Sequence, residues 1–379
     1  MSDIYFDNSS TTRVCPEAAE KVMEMMTENY GNPSSLHSLG FRAERVLEEA
    51  RAAVAAQIGA EKEEIYFTSG GTESNNIAIF GAAHALRRRG NHIVTTQIEH
   101  PSVLNVMKRL EQEGFAVTYL KPDASGKIAP EQIFAAVDKK TILVSLMYVN
   151  NEVGSILPVE TAAQAVRAAG APALVHVDAV QAFGKIPLRP RQAGIDLLSV
   201  SAHKIHGPKG AGALYVRRGI HIEPHSYGGG QEKNIRPGTE GMPLIAGFGA
   251  AVRALPPVRD QLRKMRELHE YCLGILRQIP GIEINSAPDA LPYILNFSVP
   301  GVRAETMLHY LSDRGIYLSS GSACSRGHES HVLSAMELSR ERIDSALRLS
   351  FSRYNTKEEI DVFADALRDG LSSLSRRPH

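Results

Sequence analysis

Residues 199–216 read SVSAHKIHGPKGAGALYV, and this stretch decides the fold. The apolar run Ile195–Val200 leads directly into Ser201, His203 and Lys204. Gly207, Pro208, Lys209, Gly210 and Gly212 then separate it from a second apolar run. A short apolar run closed by a glycine-rich turn reads as a buried strand. A lysine at the exit of such a strand is ordinarily a solvated surface charge. Desolvated in a polar, glycine-rich exit, it has a lowered pKa and becomes a nucleophile toward carbonyl carbons.

The same pattern repeats on both sides. EIYFTSG, HIVTTQ, AVTYL, TILVSLMYV, ALVHVDAV, IDLLSVSA and GALYVRR read as strands. TESNNIAIFGAAHALRRRG, PSVLNVMKRLEQEG, PEQIFAAVDKK and VETAAQAVRAAG read as helices between them, after two earlier helices. The first of those has Pro16 at its start and Gly31 past its end, and the second is closed by Gly59. Short apolar strands alternating with helices predict an α/β fold, a mostly parallel sheet covered on both faces. The alternation stops around residues 241–260. A long helical stretch, DQLRKMRELHEYCLGILRQI, then leads into a shorter set of strands and helices. The expected division is an N-terminal arm over 1–15, a large domain over 16–257 and a smaller α/β domain over 258–379.

A chain of 379 residues is too long for one ordinary core. With 42 Lys plus Arg against 42 Asp plus Glu, the charge is balanced and makes no electrostatic case for nucleic acid or an anionic membrane. No apolar stretch approaches bilayer length. The start, MSDIYFDNSSTTRV, has no basic segment followed by an apolar one. The three cysteines, Cys15, Cys272 and Cys324, are too few and too odd in number for a disulfide framework. The expectation is a soluble cytoplasmic protein.

Ligands of open α/β sheets bind beyond the carboxyl ends of the strands. The five exits there carry TSGGTESNN, QIEHPS, NNEVGS, DAVQAFGK and HKIHGPKG, all polar or ionisable. Gly70, Gly71 and Thr72 open a helix, which reads either as a capped tight turn or as an anion site for phosphate. Asp178 ends an apolar strand, which reads as an ion pair, a helix cap or a partner for a protonated ring nitrogen. A carbonyl-reactive lysine, a pyridinium-pairing aspartate and a phosphate site together describe a pyridoxal phosphate enzyme.

At these residues the chain resembles the NifS/IscS-type cysteine desulfurases, in the class V branch of fold-type I pyridoxal phosphate enzymes. SAHKIHGPKG, HVDAVQAFGK, GGTESNN, VNNEVG, GGGQEKNIRPGTE and SSGSAC carry the resemblance, which runs from IYFDNSSTT to ALRLSFSRYNT. It implies a mostly parallel seven-stranded sheet with helices on both faces, plus a smaller C-terminal domain. It implies that Lys204 bonds pyridoxal 5'-phosphate and that Asp178 pairs with its ring nitrogen. Gln181 would contact the phenolic oxygen, and His100 would stack on the ring and move protons. Gly71, Thr72, Ser201 and His203 would hold the phosphate, and Thr239 would reach the phosphate of a neighbouring subunit in a homodimer. Asn151 would contact the cofactor and, with Arg348, receive the carboxylate of L-cysteine. Taken singly, His100 also reads as a helix-start residue and Arg348 as a surface ion pair.

Cys272, in HEYCLGIL, reads as a buried small hydrophobe, and Cys15 precedes a helix. Cys324 lies in LSSGSACSRGHESHV, small and polar with no apolar period, and reads as part of an exposed loop. The resemblance makes it the nucleophile that takes the substrate sulfur as a persulfide, leaving L-alanine. The acceptor would be an iron–sulfur scaffold or another sulfur carrier. SRGHES is shorter than the matching segment in many relatives, which reduces the loop's reach. Cys324, His328 and His331 do not have a standard zinc spacing, and no metal is expected. Rival readings are a selenocysteine lyase, with little activity on L-cysteine, and a class V aminotransferase, which needs no mobile cysteine. A direct carbon–sulfur lyase would survive loss of Cys324, and a silent partner-binding subunit would not bond the cofactor through lysine.

Overall fold

The computed structural model describes residues 3–320 and 329–374. Seven strands form the central sheet, in the order Ile65–Thr68, Gly212–Val216, Leu197–Ser201, Leu174–Asp178, Thr141–Met147, His92–Thr96 and Ala116–Leu120. Gly212–Val216 runs antiparallel to both its neighbours, and the other pairings are parallel. The predicted mostly parallel sheet is therefore present. Every strand but Gly212–Val216 delivers its carboxyl end to one edge.

Both faces are covered, as the continuous apolar runs require. Leu197, Leu214 and Val216 join one core with Ile77, Ile79 and Phe80 of the helix Gly71–Leu86. Leu198, Ala213 and Tyr215 join the other, with Val54, Ile58 and Phe248. Successive strand side chains point to opposite faces, so neighbouring residues separate into the two cores.

A second, antiparallel sheet orders Ser319–Ser320, Ala346–Ser350, Ile294–Ser298 and Glu283–Ile284. Ile4–Tyr5 pairs in parallel with Ile316–Tyr317. The N-terminal segment continues from there into the edge that holds the site: the Asn8 side chain donates to the Ser350 carbonyl at 2.8 Å, and the Ser9 N–H to the Ser350 hydroxyl at 2.8 Å.

Two local readings change. The first helix is Pro16–Thr27 and stops short of Gly31, its last turn tied by the Asn29 N–H to the Glu24 carbonyl at 3.0 Å. The stretch where the alternation stops holds a helix, Met242–Arg253, that the sequence reading did not include. A Cβ on its Gly247 would stand 2.6 Å from Val22 Cγ2, and one on Gly249 would stand 2.7 Å from Ala50 Cα. These glycines admit the first two helices at close range. Among the described residues no helix is long and apolar enough to cross a membrane.

Candidate active site

The strand exits surround a cavity of about 490 Å³. Gly71, Thr72, His100, Asn151, Asp178, Gln181, Ser201, His203, Lys204 and Arg348 all line it. Nearly every residue singled out in the sequence thus meets at one place. Thr239 does not: it lines a separate depression with Met25, Tyr30 and Pro243. Cys324 lies outside the described residues.

One end is built for an anion. The helix Gly71–Leu86 starts here with Gly70 as its cap, and no side chain caps it. Its first N–H groups carry the positive end of the helix dipole. A Cβ on Gly212 would stand 2.6 Å from Gly70 Cα, so two glycines bring this helix start against the strand that follows Lys204. Ser201 is buried, and its hydroxyl has no partner among the described residues. Buried hydroxyls are nearly always bonded, so this one fits a ligand oxygen. Burial, then the charge of Lys204, pushes the His203 imidazole down to about 4. Neutral at ordinary pH, it offers a hydrogen bond here and no charge.

The middle is built for a ring. Asp178 is buried at the strand end, and its two oxygens accept from the Asn75 amide at 2.8 Å and the Val180 N–H at 3.0 Å. Held by these donors, the carboxylate can face a protonated ring nitrogen. His100 caps the helix Pro101–Gln112: its Nδ1 accepts from the Ser102 N–H at 3.1 Å and meets the Ser102 hydroxyl at 2.9 Å. The cap and the cavity-facing role coexist. Burial lowers its pKa, against the pull of Asp178.

Lys204 lines the same cavity. Its Nζ donates to the Ser9 and Ser10 carbonyls, the latter at 2.7 Å. Arg348 is fully buried. It donates to the Asn151 carbonyl at 2.7 Å, to Asp7 at 2.9 Å and to the Ser10 hydroxyl at 2.7 Å, while its Nε has no partner among the described residues. The surface-ion-pair reading of Arg348 does not hold. The donor set as a whole, with an orphaned serine and a helix start at one end and an aspartate and lysine beyond, fits pyridoxal 5'-phosphate.

Several participants escaped the sequence reading. Ser9 and Ser10 line the cavity from far along the chain, and Asp7 accepts from Arg348, with no local signal. Asn75 stood within the quoted GGTESNN, one helical turn after Gly71, and that spacing was available. Glu99 and Glu152 are both buried, and Glu152 lines the cavity. Burial pushes their carboxyls up to about 8 and about 7. Glu152 accepts from the Ser330 hydroxyl, and the Glu99 carbonyl meets His331 Nε2 at 2.9 Å. The other two thiols are shielded: Cys15 and Cys272 are both buried, and burial raises both pKa values.

Glu99 makes stability depend on pH. Its Oε1 accepts from the Thr96 hydroxyl at 2.7 Å and the Met147 N–H at 3.0 Å, while Oε2 has no partner among the described residues. Unfolded, it loses its proton near the ordinary value of 4.5; folded, it keeps it to about 8. The folded state therefore holds more protons between those values, and this contribution to stability falls as pH rises through that window. In Glu99→Gln that fall should flatten, making the variant less pH-sensitive than the parent by ~2–4 kcal/mol between pH ~5 and ~8. Urea unfolding of both proteins at the two pH values checks this, and identical slopes would show that Glu99 is ionised in the fold.

The comparisons with known proteins agree with this geometry. A profile of the family described as Aminotransferase class-V matches residues 4–363. A cysteine desulfurase of Trichormus azollae is 44% identical over 379 residues, covering 99% of this chain and 94% of its own. A solved NifS-like protein superposes with a TM-score of 0.93 at 40% identity, covering 98% of this chain and 100% of its own. The structure of SspA in complex with cysteine superposes with a TM-score of 0.82 at 34% identity, covering 93% and 100%.

Proposed function

The chain belongs to the aminotransferase class-V family, as a cysteine desulfurase of NifS/IscS type, and from that premise we propose that its cavity binds pyridoxal 5'-phosphate and L-cysteine and passes the substrate sulfur to Cys324. The observation that carries the site assignment is the meeting of Lys204, Asp178 and the open helix start at Gly71 in one cavity. When bound, pyridoxal phosphate supplies an electron sink that loosens the α-hydrogen and the β-carbon–sulfur bond of an amino acid.

The chain's own groups do the rest. Gly71, Thr72, Ser201 and His203 hold the phosphate, and Asp178 pairs with the ring nitrogen. Gln181 would meet the phenolic oxygen, His100 would stack on the ring, and Asn151 would contact the cofactor and share the substrate carboxylate with Arg348. Lys204 would hold the cofactor, and its amine would take the α-proton of the substrate. Arg348 receives the substrate carboxylate. Its remaining unpartnered donor, inside a buried and largely satisfied guanidinium, supports that role. Cys324 stands four positions after Ser320, whose strand pairs with Leu347 beside Arg348. Four residues of chain reach at most about 14 Å, so the tether is short enough to serve this cavity. The Cys324 thiol attacks the substrate sulfur, and the carbon left behind takes a proton. The balance is L-cysteine plus thiol giving L-alanine plus persulfide. An iron–sulfur scaffold or another sulfur carrier then receives the sulfur.

Purified with pyridoxal phosphate, the protein should be yellow and release alanine from L-cysteine. A colourless protein, or one releasing pyruvate and sulfide, would sink the reading. We assign its place to the cytoplasm. The proposed units are an arm over 1–15, a large domain over 16–257 and a small domain over 258–379.

Thr239 supports a homodimer with shared sites. It stands apart from its own chain's cavity, near the exposed Met26 and Tyr30, and a second copy would bring it to a phosphate. Thr239→Ala should weaken cofactor retention by roughly tenfold to 150-fold, for one hydrogen bond to a charged group. Equilibrium dialysis, alongside the mass in solution, tests both claims. A monomer with full activity would overturn them.

A further inference from the structure

Lys185 stands one turn beyond Gln181 and is only 6% exposed. Its Nζ donates to Gln181 Oε1 at 2.9 Å and lies 5.5 Å from the centre of the Tyr293 ring. It has no carboxylate partner among the described residues. Gln181 Nε2 in turn donates to the Ser9 carbonyl at 2.9 Å, and that same carbonyl accepts from Lys204 Nζ. A continuous chain of hydrogen bonds thus joins a buried lysine to the reactive one through Gln181 and Ser9.

The direction of that chain matters. An ammonium has three donors and no acceptor, whereas a glutamine amide offers an acceptor on one side and donors on the other. With Lys185 behind it, the amide oxygen points away from the cavity and the NH₂ group points toward it. Without Lys185, either end of the amide can face the cavity. A buried lysine without a counter-charge is costly, so its presence here calls for a function. We propose that Lys185 is a positioning residue that fixes the orientation of the Gln181 amide, so that a hydrogen-bond donor faces the anionic ring oxygen of a ligand seated between Asp178 and Lys204. This rests on the assignment of Lys204 and Gln181 to pyridoxal phosphate.

Among the described residues, the groups facing Lys185 leave it no competing acid. Lys204 and Arg348 repel its charge, His203 and His206 feel it in turn, and Arg353 and Tyr293 share the narrow crevice behind it.

The test compares Lys185→Met, Gln181→Ala and the double variant as holoenzymes. The quantity read is the pH midpoint at which the visible band of the bound cofactor changes. Lys185→Met should move the midpoint by at least about half a pH unit, roughly threefold in proton affinity. The double variant should move it no further than Gln181→Ala alone, because Lys185 acts through Gln181. A parental midpoint in Lys185→Met, or fully additive shifts, would overturn the proposal. Where Lys185→Met yields no folded holoenzyme, Lys185→Gln keeps the bulk without the fixed donors and is read in the same way. Loss of cofactor from both Lys185 variants but not from Gln181→Ala would also overturn it. Borohydride labelling of the parent protein is read separately: a label away from Lys204 would refute the underlying site assignment, whatever the midpoints show.

Discussion

Replacing Cys324 with serine should lower alanine formation from L-cysteine by on the order of 10²-fold or more, while the protein stays folded and yellow. A thiol of pKa about 8.5 is partly thiolate near neutral pH. A serine hydroxyl stays protonated there and is a poor nucleophile toward sulfur. The other two thiols cannot substitute, since Cys15 and Cys272 are buried and burial raises both pKa values. Mass spectrometry after a short pulse of L-cysteine should place one added sulfur on the peptide containing Cys324. Alanine made at the parental rate by the serine variant, or added sulfur on either buried cysteine, would refute the sulfur-transfer route. A direct lyase would then lead.

Lys204→Ala should lose activity by roughly 10²–10⁴-fold, the range for removing a positioned proton-transfer group, and should also lose the covalent hold on the cofactor. In the parent protein, borohydride should fix pyridoxal to the peptide containing Lys204. Lys185 is the informative control. It is buried nearby, and burial, then Lys204, then Arg348, push its ammonium down to about 7. Judged by proton affinity alone, it too would be a nucleophile. Geometry separates them: Lys204 lines the cavity that Asp178 and the Gly71 helix start also line, whereas Lys185 stands behind Gln181. A label on Lys185 would reverse the two roles.

What was legible in the sequence follows from what each segment does locally. Apolar runs such as LLSVS are buried on both faces, so their composition announced central strands. Gly59 stands in the left-handed region at φ 66° and closed its helix where expected. The helix Met242–Arg253 was missed because almost every side of it is buried, and a helix buried all round has no polar stripe to reveal its period. Gly247 and Gly249 added to the appearance of a break, although they are there for close packing. In the site, residues at strand exits were found because the edge of a parallel sheet gathers them. Asp7, Ser9 and Ser10 were missed because their partners, Lys204 and Arg348, lie far along the chain, and no local pattern encodes such pairings.

The N-terminal segment also bears on how the chain is made. Ser9 and Ser10 receive Lys204, and Asn8 and Ser9 bond to Ser350. Residues 8 and 9 therefore wait for residue 350 before they reach all their native partners. Loop closure over such a span is slow compared with local pairing. The central sheet can assemble during synthesis while the cofactor pocket still lacks one wall. A nascent chain stalled after residue 340 should already resist protease across 60–220 yet fail to retain pyridoxal phosphate, and retention by such a chain would refute that order. Competence thus arrives only once residues 348–350 are in place, so a product cut short before them would be folded in large part and still be unable to handle sulfur.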